Sequence, residues 1–295
     1  MIRKSILLLT ISVGAAAPQC STVTLQFHCL RRPAVFHLGE TIQAELTFTG
    51  TSRICYSLSG APGPRRSHFP LEETILSDPQ TGTTDPASRN PTIWVGSVLG
   101  SFWSGAKPLI RKIDLNEWIQ FQRPGRYTLR AVSQRITSCE LKSNAEPIEI
   151  LPSDNQWESV ELARIVGVLA STTGMTRLLA ASELRYLGTH DAAGALVHWY
   201  LRLAGGEANA ELRQGILESE HSDIVQSGLE AALDSGQLLP YTIADTLAAL
   251  EVRREFANRP DPTDPDAKQA RSNEYWGRFS VLKNQYSARI RQPIR

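Results

Sequence analysis

The side chains that could do acid–base, nucleophilic or metal chemistry in this chain are few: six histidines, four cysteines and some paired carboxylates. The histidines are His28, His37, His68, His190, His198 and His221. His190 and His198 stand eight residues apart, about two helical turns, so on one helix they approach a common face. Asp191 and His221 fall near equivalent turns of neighbouring helices. Imidazoles with a carboxylate are metal-ligand types, but no HExxH or HxH spacing occurs, and turn capping accounts for these residues equally well. The reading is no metal and no cofactor. Glu72 with Glu73, and Asp114 with Glu117, are acid and base candidates by type alone. There is no GxSxG elbow and no glycine-rich phosphate loop after a strand, and Cys139 lacks the context of a nucleophile. No catalytic residue is assigned; a hydrolase with a site between two domains stands as an alternative.

The redox state of the cysteines follows from the start of the chain. Arg3 and Lys4 precede an apolar run from Ile6 to Val13, and Gly14, Ala15, Ala16 and Ala17 follow. That is the charge, core and cleavage layout of a secretory signal, expected over 1–17, and its core is too short to span a bilayer. The mature product is expected to be exported, periplasmic or extracellular, and soluble, with no transmembrane segment. Pro18 and Gln19 argue against a lipid anchor at Cys20. Export makes Cys20, Cys29, Cys55 and Cys139 disulfide candidates with three complete pairings. Cys55 and Cys139 each follow a predicted strand and are the favoured pair, which leaves Cys20 and Cys29 across a short N-terminal loop.

The elements that position these groups change character midway. The chain is 41% hydrophobic, enough for two cores. Across 18–152 the period is two: VTLQFHC, TIQAELTF, EWIQF, RYTLRAVS and PIEIL read as strands of an antiparallel sandwich. A Pro-, Gly-, Ser- and Thr-rich insertion spans 58–110, and its aromatics Trp94, Phe102 and Trp103 are candidates for an exposed stacking surface. The competing reading folds them over an open sheet face. From 153 to 295 the period is 3.6, with helices predicted over 154–170, 174–187, 190–204, 207–218, 221–235, 240–258 and 267–291. Ser153 and Gln156 suggest a capping box, and Gly188 with Thr189 suggests a C-cap followed by an N-cap. A shift of 33 residues superposes Leu179 on Leu212, Leu184 on Leu217, Leu196 on Leu229 and Tyr200 on Leu233.

Charge is segregated within this half. Residues 153–266 hold 8 basic and 18 acidic side chains, a balance of −10, whereas 267–295 hold 7 basic and 1 acidic, a balance of +6. In the last helix Tyr275, Phe279, Leu282, Tyr286 and Ile290 form an apolar stripe, with Arg278, Lys283, Arg289 and Arg291 elsewhere on its surface. Either the stripe docks as a closing cap with its charges on the acidic helices, or the basic residues meet an external anionic surface. The formal net charge of +1 over the whole chain gives no general attraction to nucleic acid, and no nucleic-acid partner is expected.

Two stretches resemble known families. FHLGETIQAELTF (Phe36 to Phe48) and PGRYTLRAVS, with Tyr127 at a tyrosine-corner position, resemble immunoglobulin-like domains, although Leu129 stands where antibody domains carry their second cysteine. Trp118 is a candidate for the buried tryptophan of that fold. The hairpin from Thr176 to Leu203, an apolar helix, an LGTHDA turn and a second apolar helix, resembles a HEAT-like repeat. The resemblance implies a short α-solenoid behind an immunoglobulin-like β-sandwich, an order of parts similar to uncharacterised secreted bacterial proteins. The function it implies is non-enzymatic binding or scaffolding of a protein partner. Glycan binding through Trp94, Phe102 and Trp103 is the alternative.

Overall fold

The computed structural model describes residues 23–50, 54–59, 73–86, 99–104, 107–134, 140–203, 205–235, 239–240, 242–257, 259 and 262–291. The signal segment, Cys20, Trp94 and Cys139 lie outside them. The first half supplies β1 (Val23–Cys29), β2 (Val35–His37), β3 (Gln43–Gly50), β4 (Ile54–Ser59), β5 (Thr74–Asp78) and β6 (Thr83–Thr84). It continues with β7 (Leu99–Ser104), β8 (Leu109–Asp114), β9 (Gln120–Phe121), β10 (Gly125–Ser133), β11 (Leu141–Lys142) and β12 (Glu146–Leu151). Then come α1 (Asn155–Ser171), α2 (Gly174–Leu187), α3 (His190–Arg202), α4 (Glu207–Glu218), α5 (Ser222–Asp234), α6 (Ile243–Phe256) and α7 (Pro265–Arg291). The layout is a β region followed by seven helices among the described residues.

The chain divides into two compact units. The first holds the described residues through Ala34, Gln43–Gln120 and Arg126–Ile148. Here β1, β3 and β8 pair antiparallel, from Val23 opposite Gly50 to Cys29 opposite Ala44, and from Gln43 opposite Asp114 to Phe48 opposite Leu109. The two-residue alternation of the sequence is the burial pattern: Leu25, Phe27 and Cys29 of β1 and Ala44, Leu46 and Phe48 of β3 are buried, because successive side chains leave a strand on opposite faces. β10 carries Tyr127, Leu129 and Ala131 inward and pairs antiparallel with both β11 and β5. Trp118 is buried, as expected of it. Of EWIQF, expected to be a strand, only Gln120 and Phe121 pair as one (β9), and Glu117 ends a 3₁₀ turn over Leu115–Glu117. The stretch 58–110 contains β5, β6 and β7, and β7 pairs antiparallel with β4.

Where regular pairing stops, side chains complete it. The Asn144 amide accepts from the Phe27 main-chain N–H at 2.9 Å and donates to the Phe27 carbonyl at 3.0 Å, so one side chain serves as a strand partner. Buried Glu146 accepts from the Cys29 N–H at 3.1 Å and lies 2.6 Å from the Arg32 guanidinium.

The second unit holds Val35–Ile42, Phe121–Gly125 and Glu149–Arg295. β2 pairs here with Glu149, Ile150 and Leu151 of β12, and the pairing is parallel, which corrects the expectation of a purely antiparallel β region. The ring of His37 stacks on Trp157 of α1 at 4.6 Å. Gly39 has φ +83°, and a Cβ there would sit 2.7 Å from the carbonyl oxygen of Leu187. Both the backbone conformation and the space thus demand glycine.

The helix boundaries fall within three residues of those read from sequence, and two of the caps were legible. Gly188 closes α2 in the left-handed conformation, and the Thr189 hydroxyl accepts from the Ala192 N–H at 3.2 Å. The cap of α1 is Asp154 instead of Ser153: its carboxylate accepts from the Trp157 N–H at 2.7 Å. A carboxylate is favoured there because it both pairs the free N–H and meets the positive end of the helix dipole. In the array α2 packs on α1, α3 and α4, α3 on α4 and α5, α6 on α5 and α7. Gly215 of α4 lets the helices approach: a Cβ there would lie 2.7 Å from Leu196 Cδ2 and 3.1 Å from the Arg185 Cα. Of the residues matched at 33 positions, Leu184, Leu217, Leu196, Leu229 and Tyr200 are buried. The match breaks at Leu179, which is exposed whereas Leu212 is buried.

Candidate interaction surface on the last helix

α7 begins at Pro265. Asp264 accepts from the Ala267 N–H at 2.9 Å, and Pro265 occupies the first turn, where a missing N–H costs nothing. The apolar stripe splits along its length. Leu282 and Tyr286 are buried, Tyr275 and Phe279 are partly buried, and Ile290 is exposed.

The basic residues of α7 are engaged with α5 and α6. Arg278 donates to both carboxylate oxygens of Glu255, through Nε at 2.9 Å and Nη2 at 2.7 Å. Lys283 Nζ lies 3.0 Å from Asp245, and Arg289 Nη2 lies 3.0 Å from Asp234. The Tyr286 hydroxyl donates to Glu251 at 2.7 Å. The ion-pair partners of Arg278, Lys283 and Arg289 recede from 255 through 245 to 234, as antiparallel packing requires, while Tyr286 reaches back to Glu251. Hydrogen bonding from Arg278 holds the Glu255 carboxyl below its usual range and raises the guanidinium in turn. Of the four basic residues offered by the sequence as a binding surface, Arg278, Lys283 and Arg289 are thus ion-paired within the unit; the side chain of Arg291 lies outside the described residues.

α7 leaves Trp276, Val281 and Ile290 exposed, and the first belongs to an aromatic cluster. Phe256 of α6, Tyr275, Trp276 and Phe279 form a ladder of edge-to-face contacts, each with ring centres 5.5 Å apart. Arg259 lies over the Phe256 ring at 4.2 Å. Trp276, between Tyr275 and Phe279, is the exposed member, 39% exposed. Ile290 follows Trp276 by fourteen residues, close to four turns and about 21 Å along the same flank.

The other residues singled out in sequence are placed as follows. Phe102 and Trp103 lie on β7, opposite Tyr56 and Cys55 in register; their side chains, and that of Cys55, lie outside the described residues. Cys29 is buried with a free thiol, pushed up to about 12 by burial and then by the Glu146 charge. Glu73 is buried and pairs with Arg111 at 3.1 Å, and Asp114 accepts from the Gln43 amide. His198 meets Trp199 edge to face, while His190 meets His221. Among the described residues no three His, Cys, Asp or Glu side chains gather as a metal-ligand group, and no helix is long and apolar enough to cross a membrane.

Sequence reasoning missed two polar centres inside the array. Arg185 of α2, its side chain 2% exposed, donates to Glu218 at 2.6 Å and 3.0 Å and to Glu211 at 3.2 Å, both on α4. The Tyr200 hydroxyl contacts Thr242 at 2.7 Å and Thr246 at 3.0 Å, and Arg213 Nε donates to the same Thr246 at 3.0 Å. A signal existed: Arg185 and Glu218, and again Arg213 and Thr246, are each separated by 33 residues, the repeat period. Compared with family models and with curated proteins, the chain matches none.

Proposed function

We propose that this is an exported, non-enzymatic binding protein in which a HEAT-like α-solenoid, behind an immunoglobulin-like β-sandwich, engages a protein partner through the aromatic flank of α7. The repeat reading is supported by side chains 33 residues apart meeting across α2 and α4 and across α4 and α6, as stacked helix pairs of that period require. The interface reading rests on one observation: Trp276 stands within an ordered aromatic ladder, held between Tyr275 and Phe279, and is exposed to solvent. A large aromatic held rigid by its neighbours loses little freedom on binding, and such residues with arginines nearby dominate protein interfaces. The basic residues, already paired, contribute the polar rim.

The test is site-specific photo-crosslinking on the full chain in its producing cell. A crosslinker at Trp276 is expected to trap one recurring protein, and Trp276→Ala, with the crosslinker moved to Ile290, to reduce that product several-fold. A crosslinker at Val281, on the opposite side of α7, serves as control. Equal products from positions 276 and 281 would remove this surface from consideration.

A further inference from the structure

His190 opens α3, and His221 stands at the N-cap of α5. α3 packs on α5, so the turns leading into the two helices lie side by side. The imidazole ring centres are 5.9 Å apart, with the planes inclined at 68°. A zinc ion bound to an imidazole nitrogen at about 2.0–2.1 Å lies about 3.2 Å from that ring's centre, so two imidazoles on one ion have centres about 5.2 Å apart at the tetrahedral angle and up to about 6.4 Å as the angle opens. The observed separation falls inside that interval. The terminal torsion of histidine is soft, and His190, with a side chain 74% exposed, has room to turn a nitrogen toward a shared ion.

A second feature of the pair has the form of a metal-ligand arrangement. Asp191 Oδ1 lies 3.2 Å from His190 Nδ1. A carboxylate on one ring nitrogen makes that nitrogen the protonated one, leaving the Nε2 lone pair as the donor, which is how metal-bound histidines are usually oriented. Imidazole donors suit zinc, copper and nickel, and calcium and magnesium prefer oxygen.

We propose that His190 and His221 form a two-imidazole site for a divalent transition-metal ion of the zinc class, with Asp191 positioning His190 and water completing the coordination. The site is independent of the α7 surface. The experiment is calorimetric titration of the full chain with zinc chloride near neutral pH. One-to-one uptake is expected, weakened by about tenfold or more in both His190→Ala and His221→Ala. Asp191→Asn should weaken it by about twofold or more, whereas His198→Ala should titrate as the parent does. His190→Gln, which retains a polar side chain at the start of α3, repeats the loss without altering the turn. The proposal is overturned if the parent takes up no zinc, or if either His190 or His221 can be replaced without changing the uptake.

Discussion

Arg185 and Glu218 are 33 residues apart in sequence and 2.6 Å apart in space. Their ion pair joins α2 to α4, and Glu211 adds a second carboxylate to the same guanidinium. Because Arg185 is nearly inaccessible to water, removing it strands buried negative charge. Arg185→Met should therefore destabilise the second unit by about 3–5 kcal/mol, read as a lower urea midpoint. Adding Glu211→Gln and Glu218→Gln to that variant should recover most of the loss. A change below about 1 kcal/mol in the single variant would contradict the buried-pair account.

Gly39 sets a backbone requirement. Alanine there faces a left-handed conformation, worth about 1–2 kcal/mol, and a Cβ 2.7 Å from a carbonyl oxygen that cannot turn aside. Gly39→Ala should cost about 2 kcal/mol or more in denaturant unfolding. A stabilised variant would place this turn elsewhere.

Gly215 opposes two effects of known sign. In an isolated helix alanine would gain about 1 kcal/mol over glycine. In the array its Cβ would press on Leu196 and the Arg185 backbone, and overpacking costs about 1–3 kcal/mol. Packing should win, so Gly215→Ala lowers the thermal midpoint, whereas Gly194→Ala, with open space around its Cβ, raises it.

Alkaline pH should unfold the helical unit. Burial, first among the causes, raises the phenols of Tyr200, Tyr275 and Tyr286; the last is raised further by its hydrogen bond to Glu251. A raised folded pKa means that the folded state holds the proton more tightly. Their contribution is complete below the unfolded tyrosine value of about 10 and is lost as pH climbs above it. Absorbance of the phenolate band should show a delayed fraction that ionises together with loss of helical circular dichroism. If every tyrosine ionises near pH 10 while the helices persist, the burial argument fails.

Much of the helical unit was legible because each helix carries its own period and several carry their own caps. Gly188 and Thr189 announce a turn in any context. The β region was less so: β8 was missed because LIRKID mixes apolar and basic residues, and its place is fixed by pairing with β3, sixty-odd residues earlier. FHLGE resembles part of an immunoglobulin-like domain, yet Gly39 lies against a carbonyl of α2, a contact no local pattern encodes. The candidate surface was half legible. Periodicity gave the stripe of α7, but which flank stays wet depends on where α6 and its carboxylates fall.

The ion pairs from Arg278 to Arg289 bear on what holds α7 in place. Without the cations of α7, residues 153–266 carry their balance of −10. Asp234, Asp245 and Glu255 then lack the cations that α7 brings to them, and repulsion within α5 and α6 is greater. Docking turns that repulsion into attachment, so α7 is held by charge as well as by its apolar stripe.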